Sequence, residues 1–204
     1  MPKPAHAASK AGAGRNQVRI HAGEFRRRIL HFPDGEGLRP TPDRVRETLF
    51  NWLGQELHGL ACLDLFAGSG ALGFEAASRG ARRVVMVELA RPALAALNDN
   101  RRLLGAQAVE VVAADALAWL GRGGERFDVV FLDPPFAGDL LPRALAALRP
   151  RLADGARVYV ESAEWPELAG WEVLREGRAG LVRYGLLRAL ADDQGSPADG
   201  DGHL

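Results

Sequence analysis

The feature that most limits how this chain can fold is a regular alternation that begins near residue 60. Short apolar runs at 61–66 (ACLDLF), 83–87 (RVVMV), 108–112 (AVEVV), 127–132 (FDVVFL) and 156–161 (ARVYVE) read as strands. The stretches between them, 71–79, 91–104, 114–120 and 139–149, are helix-like. Strands that are apolar throughout, joined by crossover helices, are buried on both faces. They therefore specify an α/β domain with a parallel sheet between two helical layers. Two later strand-like runs, 171–175 and 181–188, leave little room for a helix between them. They predict an antiparallel pair closing one edge of the sheet.

A different pattern precedes the alternation. Residues 17–32 hold two β-like runs, Val18-Arg19-Ile20 and Arg28 to Phe32, around Ala22-Gly23-Glu24, which predicts a hairpin. Thr41 reads as a helix N-cap with Pro42 at the first helical position. Val45, Leu49, Trp52, Leu53 and Leu57 then recur at helical spacing, leaving Arg44 and Arg46 near the N-terminal end of that helix. The chain divides into a disordered basic arm at 1–16, a hairpin and helix extension at 17–58, the α/β domain at 59–190 and a polar, disordered tail at 191–204. No internal repeat is present.

Charge follows this division. Residues 1–46 carry ten Lys or Arg against four Asp or Glu, and the remainder carries sixteen against twenty-two. A basic segment on an acidic body suits a polyanion bound at one end. No apolar run approaches the roughly 18 residues of a membrane span, and the first sixteen residues lack the apolar stretch of a secretory signal. The single cysteine, Cys62, can form no intrachain disulfide and reads as a buried core thiol. Together these point to a cytoplasmic protein that does not engage a membrane.

The first strand runs into Asp64-Leu65-Phe66-Ala67-Gly68-Ser69-Gly70-Ala71-Leu72-Gly73, a GxGxxG loop. By itself this pattern also marks dinucleotide sites, because small residues let the backbone approach a ligand closely. Asp64 separates the alternatives. A carboxylate there would repel a pyrophosphate but attract S-adenosylmethionine, whose ammonium and sulfonium are both positive. Glu88 ends the second strand, placed to accept hydrogen bonds from two ribose hydroxyls. Asp115, just after the third strand, is an acceptor for an adenine amino group or else a helix N-cap.

Asp133-Pro134-Pro135-Phe136 follows the strand 127–132 and faces the same crevice, beyond the carboxyl ends of the strands. An amino nitrogen conjugated to a ring is a poor nucleophile. Acceptors on its two N–H bonds, the Asp133 carboxylate and the Pro134 carbonyl, favour a pyramidal nitrogen and stabilise the developing positive charge. The two prolines stiffen the loop and remove two donors, and Phe136 offers a face for a planar base.

With these residues in view, the chain from about Arg19 to Arg188 resembles the bacterial 16S ribosomal RNA guanine-N2 methyltransferases, which modify guanine 966 in the usual rRNA numbering. The match is carried by Gly37 to Thr41, Asp43 to Leu53, Asp64 to Gly73, Asp133 to Phe136 and Tyr159 to Ser162. The resemblance implies a Rossmann-like class I methyltransferase fold, with a seven-stranded, mostly parallel sheet and a small N-terminal extension. It implies S-adenosylmethionine as methyl donor, held by Asp64, Phe66, Ala67, Gly68, Ser69, Gly70, Glu88 and Asp115. It implies a guanine held by Asp133 to Phe136. The partner would be 16S rRNA or the assembling small subunit, met by a monomer without a metal. Arg26, Arg27, Arg28, Arg39, Arg44 and Arg46 would hold the RNA backbone. One departure stands out: the family often has an aromatic before an Arg-Gly-Arg stretch, where this chain reads Phe25-Arg26-Arg27-Arg28. Methylation of adenine N6 or a glutamine amide is the nearest alternative. A nicotinamide-dependent oxidoreductase and a non-catalytic RNA-binding protein are the more distant ones.

Overall fold

The computed structural model describes residues 16–34, 40–135 and 139–191. The expectations for the N-terminal arm up to residue 15, for Gly37, Leu38, Arg39 and Phe136, and for the tail from residue 192 lie outside the described residues.

The hairpin forms from β1 (Gln17–Arg19) and β2 (Ile29–His31), with Val18 opposite Leu30. Helix α1 spans Asp43–Leu53 and ends at Gly54, whose φ of 97° suits a glycine. The alternation then runs β3 (Ala61–Asp64), α2 (Ala71–Ser78), β4 (Arg83–Glu88), α3 (Arg91–Leu104), β5 (Val109–Ala113), α4 (Ala116–Leu120), β6 (Phe127–Leu132), α5 (Leu140–Leu148) and β7 (Leu152–Ser162). Two long strands, β8 (Trp171–Ala179) and β9 (Val182–Ala189), complete it. The seven strands lie in the order β5-β4-β3-β6-β7-β9-β8. Strands β3 to β7 pair in parallel, and β9 is antiparallel to both β7 and β8. The predicted fold class and the antiparallel edge pair are what the structure has. Among the described residues no helix is long and apolar enough to cross a membrane.

The pleat sends successive strand residues to opposite faces, and two cores result. On one face, Leu63, Val85, Val130 and Val158 pack with Leu120 of α4 and Leu141, Leu145 and Leu148 of α5. On the other, Cys62, Met86, Phe131 and Tyr159 pack with Phe74 of α2 and Leu97 of α3. The hairpin and α1 belong to this second core through Val18, Ile20, Leu30, Val45, Leu49, Phe50 and Leu53. Phe50 meets Phe131 of the central strand β6 with ring centroids 6.0 Å apart. The change of pattern near residue 59 is thus a change of element type, and no separate core begins there. Burial pushes the Cys62 thiol up to about 12, so it stays neutral.

Thr41 departs from its predicted role. Pro42 occupies the N-cap of α1, with no side-chain cap hydrogen bond. The Thr41 hydroxyl turns instead toward the carboxyl end of β6.

Candidate active site

Four acids lie along the carboxyl edge of the sheet in the order of its strands. Glu88 ends β4, Asp64 ends β3, Asp133 follows β6, and Glu161 lies near the end of β7. Parallel pairing brings them together, because adjacent strands then finish at the same edge.

The glycine loop closes around the first two. Gly68 has φ 48° and Gly70 has φ 77°, a left-handed backbone that favours glycine. Gly70 N–H donates to Ala67 O at 2.6 Å, and Ala67 N–H donates to Val87 O at 3.0 Å, which fixes the loop against β4. Ser69 is buried, and its Oγ accepts from Ala71 N–H at 3.3 Å. Phe66 is half-buried beside it. A side chain at Gly73 would meet Met86 Cε at 2.3 Å, so α2 can approach β4 only there. That approach lets Gly73 N–H donate to Asp64 Oδ2 at 3.0 Å.

The electrostatics of this loop suit a cation. Gly68 N–H, which a phosphate would need, points at Glu88 Oε2 at 2.8 Å. Glu88 Oε1 accepts from Leu89 and Ala90 N–H, both at 2.8 Å. Asp64 is 2% exposed, and burial pushes its carboxyl up to about 7 against the hydrogen bond from Gly73, with the nearby Glu88 adding to the rise. With the Gly68 and Gly73 N–H groups taken by carboxylates and those of Ala67 and Gly70 by carbonyls, the loop makes a poor cradle for a pyrophosphate. A sulfonium with an ammonium suits the acid at Asp64, and ribose hydroxyls suit the acid at Glu88. Asp115 is exposed, and its Oδ1 accepts from Ala118 N–H at 2.9 Å, which makes it the N-cap of α4. Its second oxygen has no such bond among the described residues.

The other two acids form a cluster that the sequence did not announce. Asp133 Oδ2 accepts from the Thr41 hydroxyl at 3.5 Å, across 92 residues of chain. The Tyr159 hydroxyl donates to Glu161 Oε1 at 2.8 Å. Burial raises Asp133 well above the usual carboxylate range. The charges of Glu161 and Asp64 raise it further, and the Thr41 hydrogen bond opposes the shift. Glu161 is raised by burial against the hydrogen bond from Tyr159. Pro134 is buried and Pro135 is exposed. Glu161 lies in the Tyr159 to Ser162 stretch, where the sequence alone suggests no role for it. The strand-end rule that picked out Asp64 and Glu88 would have found it.

The basic residues divide. Arg26, Arg27, Arg28 and Arg44 are exposed on the hairpin turn and the start of α1, and Arg28 Nη2 donates to Leu103 O at 2.8 Å. Arg27 has φ 69°, a left-handed backbone that favours glycine. Arg46 corrects the expectation of an RNA contact, because it is fully buried. Its Nη2 donates to Arg19 O at 3.0 Å and to Asp43 Oδ1 at 2.5 Å, and its Nη1 lies 3.9 Å from Glu75 Oε2. Glu75, also fully buried, accepts from His21 and Ala22 N–H at 2.8 and 3.1 Å and pairs with Arg79 at 2.8 Å. This ionic clasp ties the hairpin to α2. Beside it, the backbone at Gly23 passes so close to Ser78 O that a Cβ would lie 1.7 Å away.

A family model described as Conserved hypothetical protein 95 matches residues 18–188, nearly the whole described chain. The chain belongs to this family. It is 43% identical over 205 residues to ribosomal RNA small subunit methyltransferase D of Escherichia coli strain K12, a match covering 98% of this chain and 100% of that relative. It is 42% identical over 181 residues to the protein of the same name from Haemophilus influenzae, covering 84% of this chain and 94% of the relative. The solved structure of Escherichia coli yhhF superposes with a TM-score of 0.79 at 44% identity, covering 86% of this chain and 99% of that one. This member of the family is therefore a methyltransferase, and its sheet and crevice are those of the class I enzymes.

Proposed function

We propose that the protein transfers a methyl group from S-adenosylmethionine to the exocyclic N2 of a guanine in 16S rRNA, at the guanine 966 type of position. The observation that carries this reading is Asp133. It stands at the carboxyl edge of the sheet, next to a loop suited to a cationic cofactor, on a chain similar along its length to small-subunit rRNA methyltransferases. When bound, the cofactor supplies an activated, electrophilic methyl group. Asp64, Glu88 and the loop from Phe66 to Gly70 would hold it, with Asp115 at the adenine end.

The chain's own residues do the rest. Asp133 and the Pro134 carbonyl accept the two amino N–H bonds, orient the nitrogen lone pair and stabilise positive charge as it develops. The target guanine has to leave its stack to reach them. Arg26, Arg27, Arg28 and Arg44 hold the phosphates that flank it. The alternatives of adenine N6 or a glutamine amide are not favoured by relatives that are rRNA methyltransferases.

The test is to incubate the protein with labelled S-adenosylmethionine and small subunits lacking the modification, then map the labelled nucleotide. A single guanine N2 of 16S rRNA is the expected site. Label on adenine or on protein alone would overturn the reading.

A further inference from the structure

Asp133 and Glu161 stand side by side. In the parallel pairing of β6 with β7, Leu132 is opposite Val160, so the next residues of the two strands are Asp133 and Glu161. Neighbouring strands lie about 4.8 Å apart. Phe131 and Tyr159 belong to the core that holds α1, α2 and α3, and side chains two residues further on return to the same face. Both carboxyl groups therefore stand on one face, at the edge where Asp64 also ends its strand. Glu161 is 5% exposed, and the Tyr159 hydroxyl donates to its Oε1 at 2.8 Å. A carboxylate has about four lone-pair sites, so others are left for a substrate.

We propose that Glu161 is the residue that selects guanine, accepting the N1–H of the target base while Asp133 accepts from its N2 amino group. The proposal rests on the reading of Asp133 as the amino acceptor, and it supplies what that loop alone lacks. Asp133 and the Pro134 carbonyl can accept from the amino group of guanine or of adenine. The two bases differ at the neighbouring ring nitrogen. Guanine carries a proton on N1 beside its amino group, so it brings one donor to each of two adjacent carboxyl groups. Adenine in the same pose turns a bare N1 lone pair toward Glu161, and a buried acceptor facing an acceptor is costly. A base taken out of its stack is read on this Watson–Crick edge.

The surroundings agree. On the flank away from Asp133, Glu161 is paired with Tyr184 of β9, whose ring lies 6.4 Å from that of Tyr159. That flank is filled by tyrosines and offers no cation. Burial raises Glu161, and the bond from Tyr159 opposes the rise. Asp133 is raised further, and the charge of Glu161 is one of the causes, so Glu161 is the first of the two to ionise. An ionised carboxylate is an acceptor only, which is what N1–H requires.

Substrate analogues test this on the unaltered protein. Small subunits are reconstituted with guanine, 2,6-diaminopurine or 2-aminopurine at the methylated position. Both analogues keep the 2-amino group but have no proton on N1, and 2-aminopurine has no group at C6. Each should be methylated at least about 1,000-fold more slowly than guanine, because a buried acceptor rejects a ligand that lacks its donor. Glu161→Gln carries an amide that can donate to a bare N1. It should lower kcat/KM for guanine about 100-fold and raise it for 2,6-diaminopurine, with cofactor affinity by calorimetry unchanged. Either analogue methylated within about threefold of guanine by the wild-type protein would overturn the proposal. So would a Glu161→Gln enzyme that loses equally on guanine and 2,6-diaminopurine, as it would if Glu161 only held Tyr159 in place. Those outcomes leave guanine methylated and sink the selection alone. A wild-type protein that puts no methyl group on guanine N2 would sink the reading of the site.

Discussion

Helix α2 has buried charge at both ends, handled in opposite ways. At its C-terminal half, Glu75 is matched by Arg79, approached by Arg46 and bonded by two backbone N–H groups. At its start, Gly73 bonds Asp64, and Asp64, Glu88, Asp133 and Glu161 have no ion-pair partner among the described residues. Buried charges that are paired hold a structure together once formed. Of these, Asp64, Asp133 and Glu161 are displaced upward from the usual carboxylate range by burial, and such displacement clusters where a ligand or reaction supplies the missing charge. One end of the helix is a clasp, and the other waits for a positively charged partner.

The comparison breaks most visibly at Asp133. Asp133→Ala should lower the methylation rate about 1,000-fold or more, while cofactor affinity by calorimetry stays nearly unchanged. Comparable losses in both would place Asp133 in the cofactor site instead. At the clasp, Arg46→Ala should cost about 1–3 kcal/mol in denaturant unfolding, because it removes a fully buried side chain that bonds the Arg19 carbonyl, while Glu75 keeps Arg79. Arg44→Ala, two residues away and exposed, should leave the unfolding midpoint in place. It should weaken RNA binding and flatten its salt dependence.

Asp64 gives the next largest effect. Its carboxyl titrates near 7 in the free protein. A cationic cofactor needs it ionised, so cofactor affinity should be flat above about pH 8 and fall about tenfold per unit well below 7. Binding near pH 7 should release a proton, measurable by calorimetry in buffers of different ionisation enthalpy. The stability of the free protein runs the other way. The raised value means the folded state binds the proton more tightly than the unfolded chain does. The penalty is therefore full above about 7 and fades as pH falls toward the ordinary value of 3.8. Affinity that did not change between pH 6 and 8 would remove Asp64 from the site. The smallest effect belongs to Arg27→Gly. Relief of its left-handed backbone should add up to about 1 kcal/mol of stability, at the expense of some RNA affinity through the lost charge.

The alternation of strands and helices was legible because each element declares itself over a few neighbouring residues. Asp64, Glu88 and Asp133 were legible because parallel strands deliver their last residues to one edge. What escaped depended on distant partners. Thr41 before Pro42 has the local signature of a cap, but its hydroxyl meets a carboxylate 92 residues away. Arg46 looked like its neighbour Arg44, although it lies four residues before Phe50 and seven before Leu53, on the buried stripe of α1. That position calls for a buried counter-charge, and Glu75 cannot be picked out of the sequence as its source. Arg27 gives no local sign in the sequence that its backbone is left-handed.

The seating of α1 on the sheet also bears on how the protein is made. The hairpin and α1 leave the ribosome before β6 and β7, yet their apolar side rests on Phe131 and Tyr159, and the Leu53 carbonyl is held by Arg157, 104 residues later. Contacts so far apart in the chain form late and slowly. Until β6 and β7 have emerged, a nascent chain carries Phe50, Leu49 and Leu53 with nothing to cover them, exposed to the chaperones and misassembly that such surfaces attract.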